Sequence, residues 1–259
     1  MRPPWPSRAL VHSRSARGAE GMLGRFLEVS VRAPHLPASL EFYESLGFVQ
    51  ARTGDTWSHQ YAVLTDGRLY LGLHGVELAS PTLTWVHPGL AQHAIALAAL
   101  GIEFAYARLD EEAFHEVGFA DPSGQAIRLI EARTYSPPAL VAAPTSKLGY
   151  FEEIGLPTPD LARSSAFWDA LGFVAFDPVR APFAKVVAAG SDLNIGIYDV
   201  DLRAPVLAFS DPDMPERIAE LREKGYRLLE RLPRGMNSRE NALLEAPEGT
   251  WLMLTTSTE

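Results

Sequence analysis

Residues 27–48 read LEVSVRAPHLPASLEFYESLGF. Leu27, Val29 and Val31 alternate with Glu28 and Ser30, the period of a strand with one buried face. Pro34 and Pro37 break the run. Leu40, Phe42, Tyr43 and Leu46 then fall at helical spacing, and Gly47 stands where a left-handed residue ends a helix. Phe48 and Val49 open the next strand. The same punctuation returns in residues 153–173, EIGLPTPDLARSSAFWDALGF.

The second copy follows the first at an offset of 125 residues, so that Val31 maps to Leu156, Phe42 to Phe167 and Leu46-Gly47-Phe48 to Leu171-Gly172-Phe173. In the middle the offset becomes 124, taking Leu71-Gly72-Leu73 to Ile195-Gly196-Ile197 and Gly101 to Gly225. It returns to 125 where Asp121-Pro122-Ser123-Gly124 faces Ala246-Pro247-Glu248-Gly249. A register held over such a span marks a duplication. The Pro- and Ala-rich stretch TYSPPALVAAPTSK, 134–147, reads as the linker. The domains expected are 23–133 and 148–256.

Each half divides again. In the first, a strand at 27–31 leads to a helix at 38–46 and strands near 48–51, 60–65 and 69–74. A strand at 83–86 then leads to a helix at 90–100, closed by Gly101, with strands near 102–108, 116–120 and 126–131. In the second half the matching strand is 206–210, with a helix at 214–224 closed by Gly225. The unit is strand, helix and three strands, four times over, which predicts an α+β architecture with helices on one face of each sheet.

Composition bounds the function. The 259 residues are 47% hydrophobic and 21% charged, enough for two modest cores. A net charge of −9 without a dense basic run argues against nucleic acid and against an anionic membrane surface as partners. No apolar run approaches the roughly 18 residues of a membrane helix. Cysteine is absent, which removes thiolate nucleophiles and metal ligands and fits a cytoplasmic protein. Residues 1–21 carry Arg2, Arg8, Arg14 and Arg17 against the single acid Glu20. They read as a disordered leader upstream of a start at Met22, outside the fold.

The helix ends ALAALGI and ELREKGY, the segments LPASLEFYESLGF and LARSSAFWDALGF, and the turn–strand endings DPSGQAIRLIE and APEGTWLML resemble the vicinal-oxygen-chelate superfamily. That superfamily includes glyoxalase I, bleomycin-resistance proteins and extradiol dioxygenases. The resemblance covers about 23–255. It implies tandem domains, each of two βαβββ units whose sheets curl into an eight-stranded half-open cup that holds the ligand. It also implies a divalent metal held by His, Gln or Glu on the first, fourth, fifth and eighth strands of a cup.

Read onto this chain, those positions hold Glu28, then Tyr70, Gly72 or His74, then Thr82, then Arg128 in the first domain. In the second they hold Glu153, then Asn194, Gly196 or Tyr198, then Val206, then Met253. Neither set suits a dication, which takes three or four N/O ligands. Arg128 is a permanent cation in such a place. A two-domain dioxygenase would need its iron ligands in the second domain, which contains no histidine. The expectation is therefore a glyoxalase- or bleomycin-resistance-like protein without cofactor or metal, binding a small organic molecule in the first cup. The residues expected to bind it are Glu28, His59, Tyr70, Thr82, Arg128 and Glu153, with Trp57 and Tyr61 as further lining. None is assigned a catalytic role. A Glu28–Arg128 ion pair is expected in the metal's place; either it only closes the sheet, or Arg128 binds an anionic or carbonyl group there. Glu153 has no evident cation; enclosed, it could act as acid or base, and at the rim it would be solvated. His87 is expected as an N-terminal cap or turn residue at the start of the helix that follows it. Two other readings stay open. One is a metal-dependent lyase, isomerase or ring-cleaving dioxygenase with an atypical set such as Glu28 with His59 or His74. The other is a structural or homodimerising protein with degenerate cups.

Overall fold

The computed structural model describes residues 21–52, 57–111, 114–131, 146–229 and 231–257. The expected leader, but for residue 21, and the linker, but for residues 146 and 147, lie outside the described residues. The first half runs β1 (Arg25–Arg32), α1 (Leu36–Ser45), β2 (Val49–Gln50), β3 (Tyr61–Thr65), β4 (Tyr70–His74), β5 (Thr82–Val86), α2 (Leu90–Ala99), β6 (Tyr106–Arg108), β7 (Glu116–Ala120) and β8 (Ala126–Ile130). The second runs β9 (Tyr150–Pro157), α3 (Leu161–Ala170), β10 (Val174–Ala175), β11 (Ala184–Ala189), β12 (Asn194–Asp199), β13 (Val206–Asp211), α4 (Met214–Glu223), β14 (Ala242–Glu245) and β15 (Trp251–Thr256).

Each half forms its own mixed sheet. The orders are β2-β3-β4-β1-β5-β8-β7-β6 and β10-β11-β12-β9-β13-β15-β14. The first strands of the two units of a half, β1 with β5 and β9 with β13, pair antiparallel at the centre. The second sheet has seven strands. Where the eighth would lie, a single bridge joins Leu228 to Leu244.

The helices end as the glycines predicted. Gly47, Gly101, Gly172 and Gly225 all have φ between 81° and 91°, the left-handed conformation that only glycine adopts without strain. Of the two roles expected for His87 the cap is corrected: Gly89 caps α2, and His87 stands before the turn at 88–89 with its ring stacked on His93, centroids 3.7 Å apart.

Strand alternation sorts the side chains. Val29, Val31, Leu71, Leu73, Leu83, Trp85, Ile127 and Leu129 point to one buried core that also takes in Trp168, Phe173, Ile195, Ile197 and Phe209 of the second half. The two halves thus share a core. Phe48 meets Phe209 at 6.3 Å and Trp85 meets Trp168 at 6.4 Å between ring centroids. The interleaved residues Glu28, Ser30, Gly72, His74, Thr84 and Arg128 face the opposite way, into the first cup.

Candidate functional site

Four central strands place the polar residues of the first cup in one row. Glu28 on β1 stands opposite Thr84 on β5, Thr84 beside Arg128 on β8, and Arg128 opposite Gly118 on β7. On the other side Ser30 stands beside Gly72 on β4, and His74 faces Tyr61 on β3. This register moves the fifth-strand position from Thr82 to Thr84. Thr82 lies at the strand's start, and its hydroxyl donates to the Ala79 carbonyl at 2.5 Å. In the second half Val206 likewise gives way to Ala208, which stands opposite Glu153 and beside Met253.

Glu28 is the centre of the site. It is 1% exposed, and a buried carboxylate needs partners. It has three. Ser30 donates at 2.7 Å, Tyr61 donates at 2.5 Å, and His74 Nε2 lies 2.7 Å from Oε1. Burial alone would push the carboxyl up. The hydrogen bond and electrostatic pull of His74, with the hydroxyls of Tyr61 and Ser30, outweigh it and hold the group below the usual glutamate range. The carboxylate also explains Gly72. A Cβ there would stand 2.2 Å from the Glu28 carboxylate atoms.

The network extends outward. His74 is fully buried, and its Nδ1 lies 2.9 Å from Nε2 of His59. With an ionised Glu28, Nε2 of His74 carries a proton. Nδ1 of His74 then shares one further proton with His59. Burial lowers the affinity of His59 for a proton, and the neighbouring His74 and the Arg128 charge lower it further, against the opposing pull of Glu28.

Arg128 does not pair with Glu28, and that expectation is corrected. The carboxylate is already satisfied by shorter-reaching donors on β1, β3 and β4. The guanidinium instead lies 4.9 Å above the Trp57 ring. Its Nε and Nη2 are buried without a hydrogen-bond partner. Trp57 joins the parts: its ring is 5.4 Å from His59, 5.8 Å from Tyr61 and 5.4 Å from His74, and it packs on Leu27, Val86 and Ile130. Tyr70 is half-buried on the Gly72 and His74 face of β4 but stands outside the hydrogen-bonded set. Of the residues expected in the first cup, the structure brings together Glu28, His59 and Arg128, with Trp57 and Tyr61. Ser30 and Thr84, 2.8 Å apart through their hydroxyls, were missed. The alternation that placed Glu28 in the cup would have found Ser30.

Glu153 has the partner the sequence did not show. It is 4% exposed, with Lys185 Nζ and the Tyr198 hydroxyl donating to Oε1 at 2.8 and 2.6 Å. Burial, then the Glu153 charge, pushes the Tyr198 hydroxyl well above its ordinary value, so it remains a donor. The rest of this cup is filled by its own side chains. Phe183, Tyr198, Val206, Ala208, Leu243 and Met253 pack as one buried cluster.

The metal implied by the fold does not fit these residues. In the second cup the row Glu153, Ala208, Met253 offers one hard ligand. In the first, the carboxylate and two imidazoles form a chain, because His74 turns one nitrogen to Glu28 and the other to His59. They do not converge on a point. Among the described residues no group of three or more His, Asp or Glu is placed to hold a metal ion.

No family model matches the chain, and no curated protein does. Solved structures do. Catechol 2,3-dioxygenase aligns over 93% of this chain and 90% of its own, with 13% identity and a TM-score of 0.57. The 2,2',3-trihydroxybiphenyl 1,2-dioxygenase of Sphingomonas wittichii RW1 aligns over 92% and 91%, with 18% identity and a TM-score of 0.56. A variant of homoprotocatechuate 2,3-dioxygenase from Brevibacterium fuscum aligns over 91% and 71%, with 15% identity and a TM-score of 0.60. The chain has the two-domain fold of these extradiol dioxygenases.

Proposed function

We propose that the first cup binds a small planar organic molecule carrying an acidic or carbonyl oxygen, and that it does so without a metal ion. The observation that carries this reading is Arg128. A guanidinium stacked on an indole, with Nε and Nη2 buried and unpartnered, leaves donors in a fixed fork that suits an oxygen ligand. The neighbouring carboxylate does not compete, since Ser30, Tyr61 and His74 already occupy it. Trp57, Tyr61 and His59, each partly exposed, set aromatic surface beside that guanidinium, the lining of many small-molecule sites. The second cup, packed with Met253, Leu243 and Phe183, is a support.

Calorimetric titration with aryl carboxylates and hydroxyarenes tests this. Binding to the wild type and its loss in Arg128→Leu are the expected results. Unchanged binding in that variant would remove Arg128 from the site.

A second reading, ring cleavage at a metal, is favoured by the activities in the names of the solved structures above. It would require His59 or His74 to turn away from its present partner. Metal analysis of the purified protein separates the two readings. About one equivalent of a transition metal per chain, lost in Glu28→Gln, would favour the second.

A further inference from the structure

Glu28, His74 and His59 form a line of hydrogen bonds from a buried carboxylate to the surface of the cup, at 2.7 and 2.9 Å. The line ends beside the one cation of the row. Arg128 is near enough for its charge to act on His59, and Trp57 touches both. Each inner member has both of its functions occupied. Glu28 Oε1 and Oε2 accept from Ser30, Tyr61 and His74, and both nitrogens of His74 are engaged. With one proton on His74 Nε2 and one on His59 Nε2, Nδ1 of His59 is the member of this line left to take a proton from a ligand. A proton taken there makes an imidazolium whose Nε2–H points at His74, and through it at the negative charge of Glu28. An oxygen that has lost that proton carries a charge that the free Nε–H and Nη2–H of Arg128 can accept as partner.

We infer that the first cup takes a weakly acidic hydroxyl compound, a phenol or enol, as its oxyanion, with the oxygen on Arg128 and the proton retained on the His59–His74–Glu28 chain. This rests on the small-molecule reading above and deepens it by naming the ligand class. The step balances without an oxidant or co-reactant. One O–H bond breaks, its electron pair stays on oxygen, and one N–H bond forms at His59. The complex gains no net charge, so proton and oxyanion enter together. The groups facing His59 agree with that division of labour. Burial, with the neighbouring His74 and Arg128, keeps it unprotonated when the cup is empty. A new anion against Arg128 offsets the guanidinium's positive charge, which makes the proton acceptable once the ligand is in place.

The experiment uses 4-nitrophenol, whose ionisation turns it yellow, and benzoate, which enters already ionised. Work is done below the pH at which free nitrophenol ionises. Wild type is expected to bind nitrophenol with appearance of the phenolate band. Its binding heat should be the same in two buffers of different ionisation enthalpy, because no proton leaves. His59→Ala should lose the phenolate band of bound nitrophenol while weakening benzoate far less than nitrophenol, and His59→Gln serves if the alanine variant alters the fold by circular dichroism. Arg128→Leu should bind neither probe. If nitrophenol binds wild type colourless, or if the band survives in both His59 variants, the inference is overturned while the binding reading stands. If benzoate and nitrophenol both fail to bind wild type, the binding reading falls and the inference with it.

Discussion

The two cups are the same structure carrying different residues. Their rows superpose through the duplication: Glu28 with Glu153, Ser30 with Gly155, Tyr61 with Lys185, Gly72 with Gly196, His74 with Tyr198, Thr84 with Ala208, Gly118 with Leu243 and Arg128 with Met253. Both keep the buried glutamate and the glycine that makes room for it. Around that pair the first cup is polar and the second apolar. In the first, one donor to Glu28, His74, starts a chain that runs outward to His59. In the second, the Tyr198 ring lies across the glycines, where a Cβ on Gly155 would meet it at 2.2 Å and one on Gly196 at 2.4 Å. Lys185, partly exposed, closes the other side. The glutamate is therefore part of the architecture, and chemistry is decided by what surrounds it.

Exchanging the eighth-strand residues breaks the symmetry most strongly. Met253→Arg puts a cation among Phe183, Val206 and Leu243 with no free carboxylate, since Glu153 is already held by Lys185 and Tyr198. A destabilisation of about 3–5 kcal/mol is expected, the range for an uncompensated buried charge. Arg128→Met removes a guanidinium whose Nε and Nη2 bond nothing. Stability should change by under about 1 kcal/mol while ligand binding is lost. Chemical denaturation of both variants measures the contrast. Equal losses would mean that Arg128 is structural.

The next effect tests what the two cups share. Gly72→Ala sets a methyl 2.2 Å from the Glu28 carboxylate, and Gly196→Ala sets one 2.4 Å from Tyr198 and 2.7 Å from Glu153. Overpacking of this kind costs about 1–3 kcal/mol. Gly72→Ala should lie at the upper end, since moving Glu28 also disturbs Ser30, Tyr61 and His74. Thermal unfolding of the pair checks the order.

Acid sharpens the comparison further. The Glu28 carboxyl is held below its ordinary value by His74, Tyr61 and Ser30 against the opposing effect of burial. A carboxyl depressed in the folded state stabilises it above the unfolded value, about 4.3. That contribution is lost as pH falls through this value toward the lower folded one. Glu28→Gln should therefore be less stable than wild type at neutral pH and should lose less stability on acidification. Urea midpoints measured across that window test it, and parallel curves for the two proteins would contradict it.

The fold was legible because its signals are local and repeated. Gly47, Gly101, Gly172 and Gly225 end helices, strand alternation sorts core from cup, and the duplication confirms each signal against its copy. The site was legible only along single strands. Counting from Gly101 chose Thr82 for the fifth-strand position, where pairing places Thr84 opposite Glu28; the two threonines share one face of β5, so alternation alone does not tell which is level with Glu28. The Glu28–Arg128 pair failed for a related reason. Proximity in the row was right, but three donors from β1, β3 and β4 reach the carboxylate first. Lys185 was missed as the partner of Glu153 because Tyr61, its counterpart, is uncharged. Thus nothing in the first copy pointed to a cation there.

The smallest expected effect concerns the joint between the halves, where the copies also differ. Tyr43 on α1 is fully buried, and its hydroxyl reaches Glu248 of the second half at 2.6 Å, beside Ser39 at 2.8 Å. Burial, then the Glu248 charge, holds that hydroxyl well above its ordinary value, so it stays a donor through the range in which the protein is handled. In the mirrored position Trp168 replaces Tyr43 and Ser123 replaces Glu248. The contact across the halves there is between the hydroxyls of Ser123 and Ser164, at 3.2 Å. Tyr43→Phe removes one charge-assisted bond and keeps the ring against Phe42 and Phe48. Glu248 is only partly buried and keeps Ser39, so water and that hydroxyl recover much of the loss. The expected cost is about 1 kcal/mol, seen as one unfolding transition moved to slightly lower denaturant with its slope unchanged. Two separated transitions would mean that the shared core couples the halves less than this one hydroxyl does.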